Sequence, residues 1–212
     1  MNNILVINAS ARSADSFSRS LSKEFITNWI SKYPEDRIVQ RDLGQTAIPH
    51  ITEAWIEGAF KPKEHRTEKD QAALKVSDAL VTELKAADIV VLATPMYNWS
   101  IPSVLKAYID QVLRMNETLA INPETPENPY VGLLENKKAY FLLVRGGRGY
   151  EKGEFYQHMN FQTDYLKTVF KIIGISEIEV LSMNSAAMGG EHSKHSYEEC
   201  CQKISGWIHR LN

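Results

Sequence analysis

Asp88-Ile-Val-Val-Leu-Ala-Thr-Pro-Met-Tyr-Asn-Trp-Ser-Ile-Pro102 is the stretch on which the reading of the fold turns. Its first part, Asp88 to Ala93, is an apolar run without polar alternation. Such a run reads as a strand covered on both faces, the habit of parallel sheets. The second part cannot prolong the strand, because Pro95 and Pro102 restrict its backbone. Pro102 falls where a first-turn helix proline belongs. After it, Val104, Leu105, Tyr108, Ile109, Val112 and Leu113 recur at helical spacing. The stretch is therefore a buried strand, an aromatic loop and a helix in succession.

The same unit repeats outward in both directions. Toward the N-terminus, Ile4 to Asn8 is an apolar run followed by a Ser-rich turn. Phe17, Leu21, Phe25 and Trp29 then mark one helix face, widened by Ile26 and Ile30. Arg37 to Leu43 reads as a second strand, and residues 44–66, with Pro49, His50, Gly58 and Pro62, as irregular. Thr67 opens a helix with Leu74, Leu80, Val81 and Leu84 inside. Toward the C-terminus, residues 116–136 read as a Pro-rich functional loop. Lys138 to Val144 is a fourth strand, followed by the sharp loop Arg145-Gly146-Gly147-Arg148-Gly149. A helix from about Glu154 to Ile173 ends at Gly174, a strand covers Ile178 to Met183, and a last helix spans Tyr197 to Leu211. Alternation of this kind means a doubly wound, five-stranded parallel sheet between two helical layers. With right-handed crossovers, the order is expected to be flavodoxin-like, in one domain over residues 1–212.

Composition narrows the function. The 212 residues carry 24 Lys and Arg against 26 Asp and Glu, a net charge of −2. That balance speaks against a nucleic-acid partner, which needs a basic face. No apolar run reaches the ~20 residues of a membrane span. The N-terminal residues Met1 to Val6 read as a strand rather than a signal peptide. Cys200 and Cys201 are neighbours, which suits neither a disulfide nor a zinc site, so a reducing cytoplasm is expected. No Asp, Glu or Cys cluster accompanies His192 and His195, although Glu191 is adjacent, so they read as solvated, as does His50, and the mixed charges of Lys61 to Lys69 read as a linker and helix start. Arg148 and Tyr150 flank the glycine loop without a decided role.

Open α/β sheets bind ligands beyond the carboxyl ends of their strands, where the strand order reverses. Three unusual loops fall there. The first, Asn8 to Ser18, leads from a strand into a helix N-terminus, where free N–H groups favour an anion. Ser10, Ser16 and Ser18 add hydroxyls and Arg12 a charge. The first glycine in the chain is Gly44, so no glycine-rich pyrophosphate turn exists here. A single terminal phosphate, as in FMN, suits this loop, and ordinary Ser capping of the helix suits it equally. The second loop offers Met96, Tyr97 and Trp99 as a wall for a flat ring and Asn98 for its polar edge. The third, Arg145-Gly146-Gly147, brings backbone N–H groups close to a ligand.

These residues resemble the FMN-dependent NADH:azoreductase/quinone reductase family over essentially the whole chain. The similarity is strongest at Pro95-Met96-Tyr97-Asn98-Trp99-Ser100-Ile101-Pro102 and at Arg145-Gly146-Gly147, and extends to Arg41-Asp42-Leu43, Gly132-Leu133-Leu134 and Lys137-Lys138-Ala139. The resemblance implies a flavodoxin-like homodimer with one FMN per subunit near the interface. It implies ping-pong chemistry, with NADH or NADPH giving hydride to flavin N5 and azo compounds or quinones taking it in turn. Carried over by position, Ser10, Ser16, Ser18 and the Phe17 backbone hold the phosphate. Met96, Tyr97, Asn98 and Trp99 line the ring, and Val144, Arg145, Gly146 and Gly147 approach its edge. No catalytic side chain is expected beyond Asn98 as a tuning group, since the flavin carries the chemistry. The chain departs from the family at Val144, where a hydroxyl residue is usual. It departs again at Leu119, Ala120 and Ile121, where aromatics are usual and Tyr130 compensates, and at the turn Asn128-Pro129-Tyr130-Val131. A general NAD(P)H:flavin or nitro reductase would share the site. An electron carrier is the alternative of another class, though near-neutral charge and the long loop favour an enzyme over it. A flavin-sensing dimer without turnover also remains.

Overall fold

The computed structural model describes residues 1–211. In chain order the elements are β1 (Asn3–Asn8), α1 (Phe17–Lys32), β2 (Arg37–Asp42), α2 (Glu53–Phe60), α3 (Glu68–Ala86), β3 (Ile89–Pro95), α4 (Ser103–Val112), β4 (Leu119–Ile121), β5 (Tyr130–Gly132), β6 (Lys138–Val144), α5 (Thr163–Ile172), β7 (Glu177–Met183) and α6 (Gly190–Arg210). Five strands form one parallel sheet in the order β2-β1-β3-β6-β7. This is the flavodoxin-like order, with its reversal between β1 and β3. The register sets the strand ends side by side: Asn8 lies opposite Asp42 and Ala93, and Pro95 opposite Val144.

Each face of the sheet buries its own core. Ile4, Val6, Val91 and Tyr140 pack with Leu21, Phe25 and Trp29 of α1 and Ile204 and Trp207 of α6. Leu5, Ile7, Leu92 and Phe141 pack with Leu80, Leu105, Leu166 and Phe170 of the opposite helical layer. Of the α1 stripe, Ile30 turns out to be 46% exposed. Thr67 caps α3 in a reciprocal box with Asp70.

Several boundaries differ from the sequence reading. Residues 44–66 are not all irregular: α2 forms because Thr52 accepts the Trp55 N–H and the buried Trp55 indole donates to Gln111 at 2.8 Å. Pro102 is the N-cap of α4, one position before the helix. The loop 116–136 contains an antiparallel hairpin, β4 with β5. The helix expected from Glu154 starts only at Thr163, where the Asn160 side chain accepts the Gln162 and Thr163 N–H groups. The last helix starts at Gly190, well before Tyr197; its first two turns are mostly exposed and carry no apolar stripe that would mark them in the sequence.

Candidate active site

The first loop leaves β1 through Ala9, whose N–H donates to the Ala93 carbonyl at 3.0 Å. The buried Asn8 side chain accepts from Ser22 Oγ at 2.8 Å, which fixes the loop's root to α1. Ser10 is buried, and its Oγ accepts the Arg12 N–H. Ser16 occupies the N-cap with extended backbone, yet its side chain caps nothing. Its Oγ lies 3.2 Å from Ser18 Oγ instead. The N–H groups of Phe17, Ser18 and Arg19 find no acceptor among the described residues. A helix that starts with its natural cap turned aside presents free donors and a positive dipole end. Ordinary capping therefore does not account for these serines.

The second loop begins with Met96, whose N–H donates to Val144 O at 2.7 Å and carries β3 one step further along β6. Tyr97 and Ser100 then exchange two backbone bonds, 2.9 and 3.0 Å, across Asn98 and Trp99. Both central residues have positive φ, 47° and 65°. This is a two-residue hairpin of the type that favours Asn followed by Gly. Trp in that second position costs on the order of 1–3 kcal/mol of backbone strain. The strain holds Trp99 about half exposed at the tip, beside Tyr97.

In the third loop the Arg145 side chain points away from the strand ends. Its guanidinium is fully buried and donates to Gln162 Oε1 (3.3 Å), Glu151 Oε1 (2.5 Å) and Thr163 Oγ1 (2.7 Å). The carbonyls of Arg145, Gly146 and Gly147 accept from Ala186, Ala187 and Ser185. The N–H groups of Gly146 and Gly147 have no acceptor among the described residues. A Cβ on Gly146 would stand 3.2 Å from Ala187 Cβ, so glycine keeps this wall thin.

Between the loops lies a cavity of about 340 Å³. Of the residues singled out from sequence, Ser10, Arg12, Ser16, Phe17, Ser18, Met96, Tyr97, Val144 and Gly146 line it, together with Asp15 and Pro95. Asn98 and Trp99 stand on the exposed hairpin outside the lining, and Gly147 and the Arg145 side chain also lie outside. Ala186 and Ala187, just after β7, complete the wall and were not singled out; two alanines carry no chemical signal. A wider groove of about 810 Å³ runs past the hairpin along Ser100, Ile101, Phe161 and Tyr165. No group of three or more His, Cys, Asp or Glu side chains that could hold a metal occurs among the described residues. The donor set fits a flavin mononucleotide: hydroxyls and unpaired amides for a phosphate, thioether and aromatic surface for a flat ring, unpaired glycine amides for its polar edge.

The architecture is that of a flavodoxin-like α/β protein, and a family model described as flavodoxin-like fold matches residues 2–208. An FMN-dependent NADH:quinone oxidoreductase of Nostoc punctiforme is 44% identical over 189 residues, 89% of this chain and 90% of its own. An FMN-dependent NAD(P)H:quinone oxidoreductase 1 of Pseudomonas aeruginosa is 38% identical, covering 96% of this chain and 97% of its own. An azoreductase structure from Bacillus anthracis superposes with a TM-score of 0.88 at 25% identity, over 100% of both chains. The chain belongs to the flavodoxin-like family and, within it, to the FMN-dependent NADH:quinone oxidoreductases.

Proposed function

We propose that residues 1–212 act as one FMN-binding domain that passes electron pairs from NADH or NADPH to quinones and azo compounds. The observation that carries this reading is the uncapped start of α1 facing the same cavity as the hairpin and the glycine loop. The named activities of the relatives support the cofactor, the nicotinamide and both acceptor classes.

When bound, FMN supplies two-electron redox chemistry that no side chain of the cavity possesses. Ser10, Ser16 and Ser18 would give hydroxyls to its phosphate, and Phe17 and Ser18 their free N–H groups, at the positive end of α1. Pro95, Met96, Tyr97 and Val144 would keep water from the ring. Gly146 and Gly147 would turn their N–H groups to its polar edge, where such donors stabilise negative charge. Asn98 and Trp99 would stand at the mouth, Asn98 adjusting the hydrogen bonding of the edge. Arg145 would contribute backbone only, its side chain fastening the loop to residues 151–163.

Nicotinamide and acceptor would use the same opening in turn, so the kinetics are ping-pong. The protein works as a homodimer with FMN near the interface. Exposed Trp99, Phe155 (82%) and Phe161 (61%) support a second copy on that side, and the Phe161 N–H donates to the Trp99 carbonyl. No helix of the described residues is long and apolar enough to cross a membrane, and a cytoplasmic location belongs to the same reading.

The test is an anaerobic visible spectrum of protein reconstituted with FMN. Flavin bands that bleach with NADH or NADPH and return with a quinone support the reductase. Bands indifferent to both nicotinamides refute it, and failure to take up FMN refutes the cofactor as well.

A further inference from the structure

Arg19 is the third residue of α1, and its side chain leans back past the helix start, as helical side chains do. There its guanidinium joins two parts of the chain. Nε donates to the Arg12 carbonyl at 2.5 Å, and Nη2 to the Ser10 carbonyl at 2.9 Å. Nη1 and Nη2 also grip both oxygens of Asp42, at 2.5 and 2.8 Å. Asp42 ends β2 opposite Asn8, and its Oδ1 accepts the Gly44 N–H at 2.9 Å. Gly44 closes the other side: a Cβ there would sit 2.3 Å from the Ser10 carbonyl oxygen.

The consequence follows from peptide geometry. In a trans peptide the C=O of one residue and the N–H of the next point in opposite senses. Holding the Ser10 and Arg12 carbonyls on Arg19 therefore turns the N–H groups of Ala11 and Ser13 away from it. Neither N–H has an acceptor among the described residues. The charge of Arg19 is matched by Asp42, whose carboxyl Arg19 in turn holds below the usual carboxylate range. The guanidinium thus shapes the loop and leaves the anion to the hydroxyls and amides.

We propose that Arg19, fixed by Asp42 and Gly44, is the positioning residue that makes this cavity prefer a phosphorylated flavin to an unphosphorylated one. The proposal rests on the FMN reading above and adds the source of its phosphate selectivity.

Flavin fluorescence titrations with FMN and with riboflavin test it on the whole protein. Arg19→Gln, Asp42→Asn and Gly44→Ala should each raise the FMN dissociation constant about tenfold or more, the scale of one charge-assisted hydrogen bond. Riboflavin affinity and the turnover rate at saturating FMN should stay within about twofold, since the ring contacts are untouched. Arg19→Lys should not rescue, because an ammonium cannot span two carbonyls and a carboxylate at once. Gly44→Ala reaches the loop without changing any charge, so it tests the geometry separately. Equal losses for both flavins, or an intact FMN preference in folded variants, overturn the proposal. Wild-type protein that binds neither flavin overturns the FMN reading itself; wild type that binds FMN beside variants that keep its preference overturns only the clamp.

Discussion

Ser16→Ala separates two roles that a serine before a helix can play. Replacing a capping Ser by Ala ordinarily costs about 1 kcal/mol of folding stability. Here Ser16 Oγ caps no N–H and touches only Ser18 Oγ at 3.2 Å, so the flavin-free protein should lose at most about 0.5 kcal/mol, the scatter of a neutral surface change. The FMN complex should lose one hydrogen bond to a charged group, about 1.5–3 kcal/mol. That is roughly a 10- to 150-fold weaker dissociation constant. Thermal melting with and without FMN reads both numbers. At an FMN concentration of about 100 times the wild-type dissociation constant, ligand binding adds about 2.7 kcal/mol. For a chain of this size that raises the midpoint by roughly 5–10 °C. A 100-fold weaker variant under the same conditions keeps only about 0.4 kcal/mol, or roughly 1–2 °C. The opposite pattern, a flavin-free midpoint lowered by several degrees with the FMN increment intact, would return Ser16 to plain capping and remove the phosphate site from the start of α1.

Other expectations follow from the same geometry. Asn98→Ala should lower the rate of reduction by NADH more than it weakens FMN retention; stopped-flow rates unchanged at saturating FMN would strip Asn98 of its tuning role. Gly132→Ala would place a Cβ 2.1 Å from the Gly174 nitrogen, forcing β5 off the end of α5 at a cost of about 3 kcal/mol or more; a denaturant midpoint equal to wild type would contradict that packing. Asp70 is held at a pKa of about 2, first by Lys61 and then by the Thr67 N–H and hydroxyl. A carboxyl depressed on folding stabilises above its unfolded value, near 3.8, and loses that contribution as pH falls toward 2. Denaturation midpoints should therefore fall between pH 5 and pH 2 more steeply in wild type than in Asp70→Asn, and parallel curves would dismiss the contribution.

The sheet was legible because buried parallel strands have few disguises. Ile4 to Asn8 and Lys138 to Val144 are apolar runs, and α1 repeats an apolar residue every fourth position. The elements that escaped are those with weak local signals. The helix α2 depends on one buried indole bonded to Gln111, a partner far along the chain. The hairpin β4–β5 has three residues per strand and no alternation to read. The segment 154–162 has enough helical character to mislead. Glu151 before it, Gln162 at its end and Thr163 after it are all engaged by the buried Arg145, and Asn160 accepts the Gln162 and Thr163 N–H groups where the helix starts.

The candidate site divides along the same line. The free N–H groups of the candidate site were legible from the order of the chain, because a strand end followed by Ser-rich or Gly-Gly sequence already indicates where they will be. Side-chain direction was not so fixed. Arg145 belongs to a loop expected to approach the ligand, yet its guanidinium bonds the buried Gln162 and Thr163 and the partly exposed Glu151 and does not line the cavity. Trp99 reads as a wall, yet the positive φ of both hairpin residues throws it to the rim. Ser16 is the sharpest case. Its sequence context permits a cap or an anion ligand with equal ease, since both need the same hydroxyl at the same helix position. What distinguishes them is whether Oγ turns back on its own helix. Arg19 holds the preceding loop from the far side, and Ser16 pairs with Ser18 instead. The first-turn N–H groups are thereby left without an acceptor among the described residues, the state an anion site needs and a capped helix lacks.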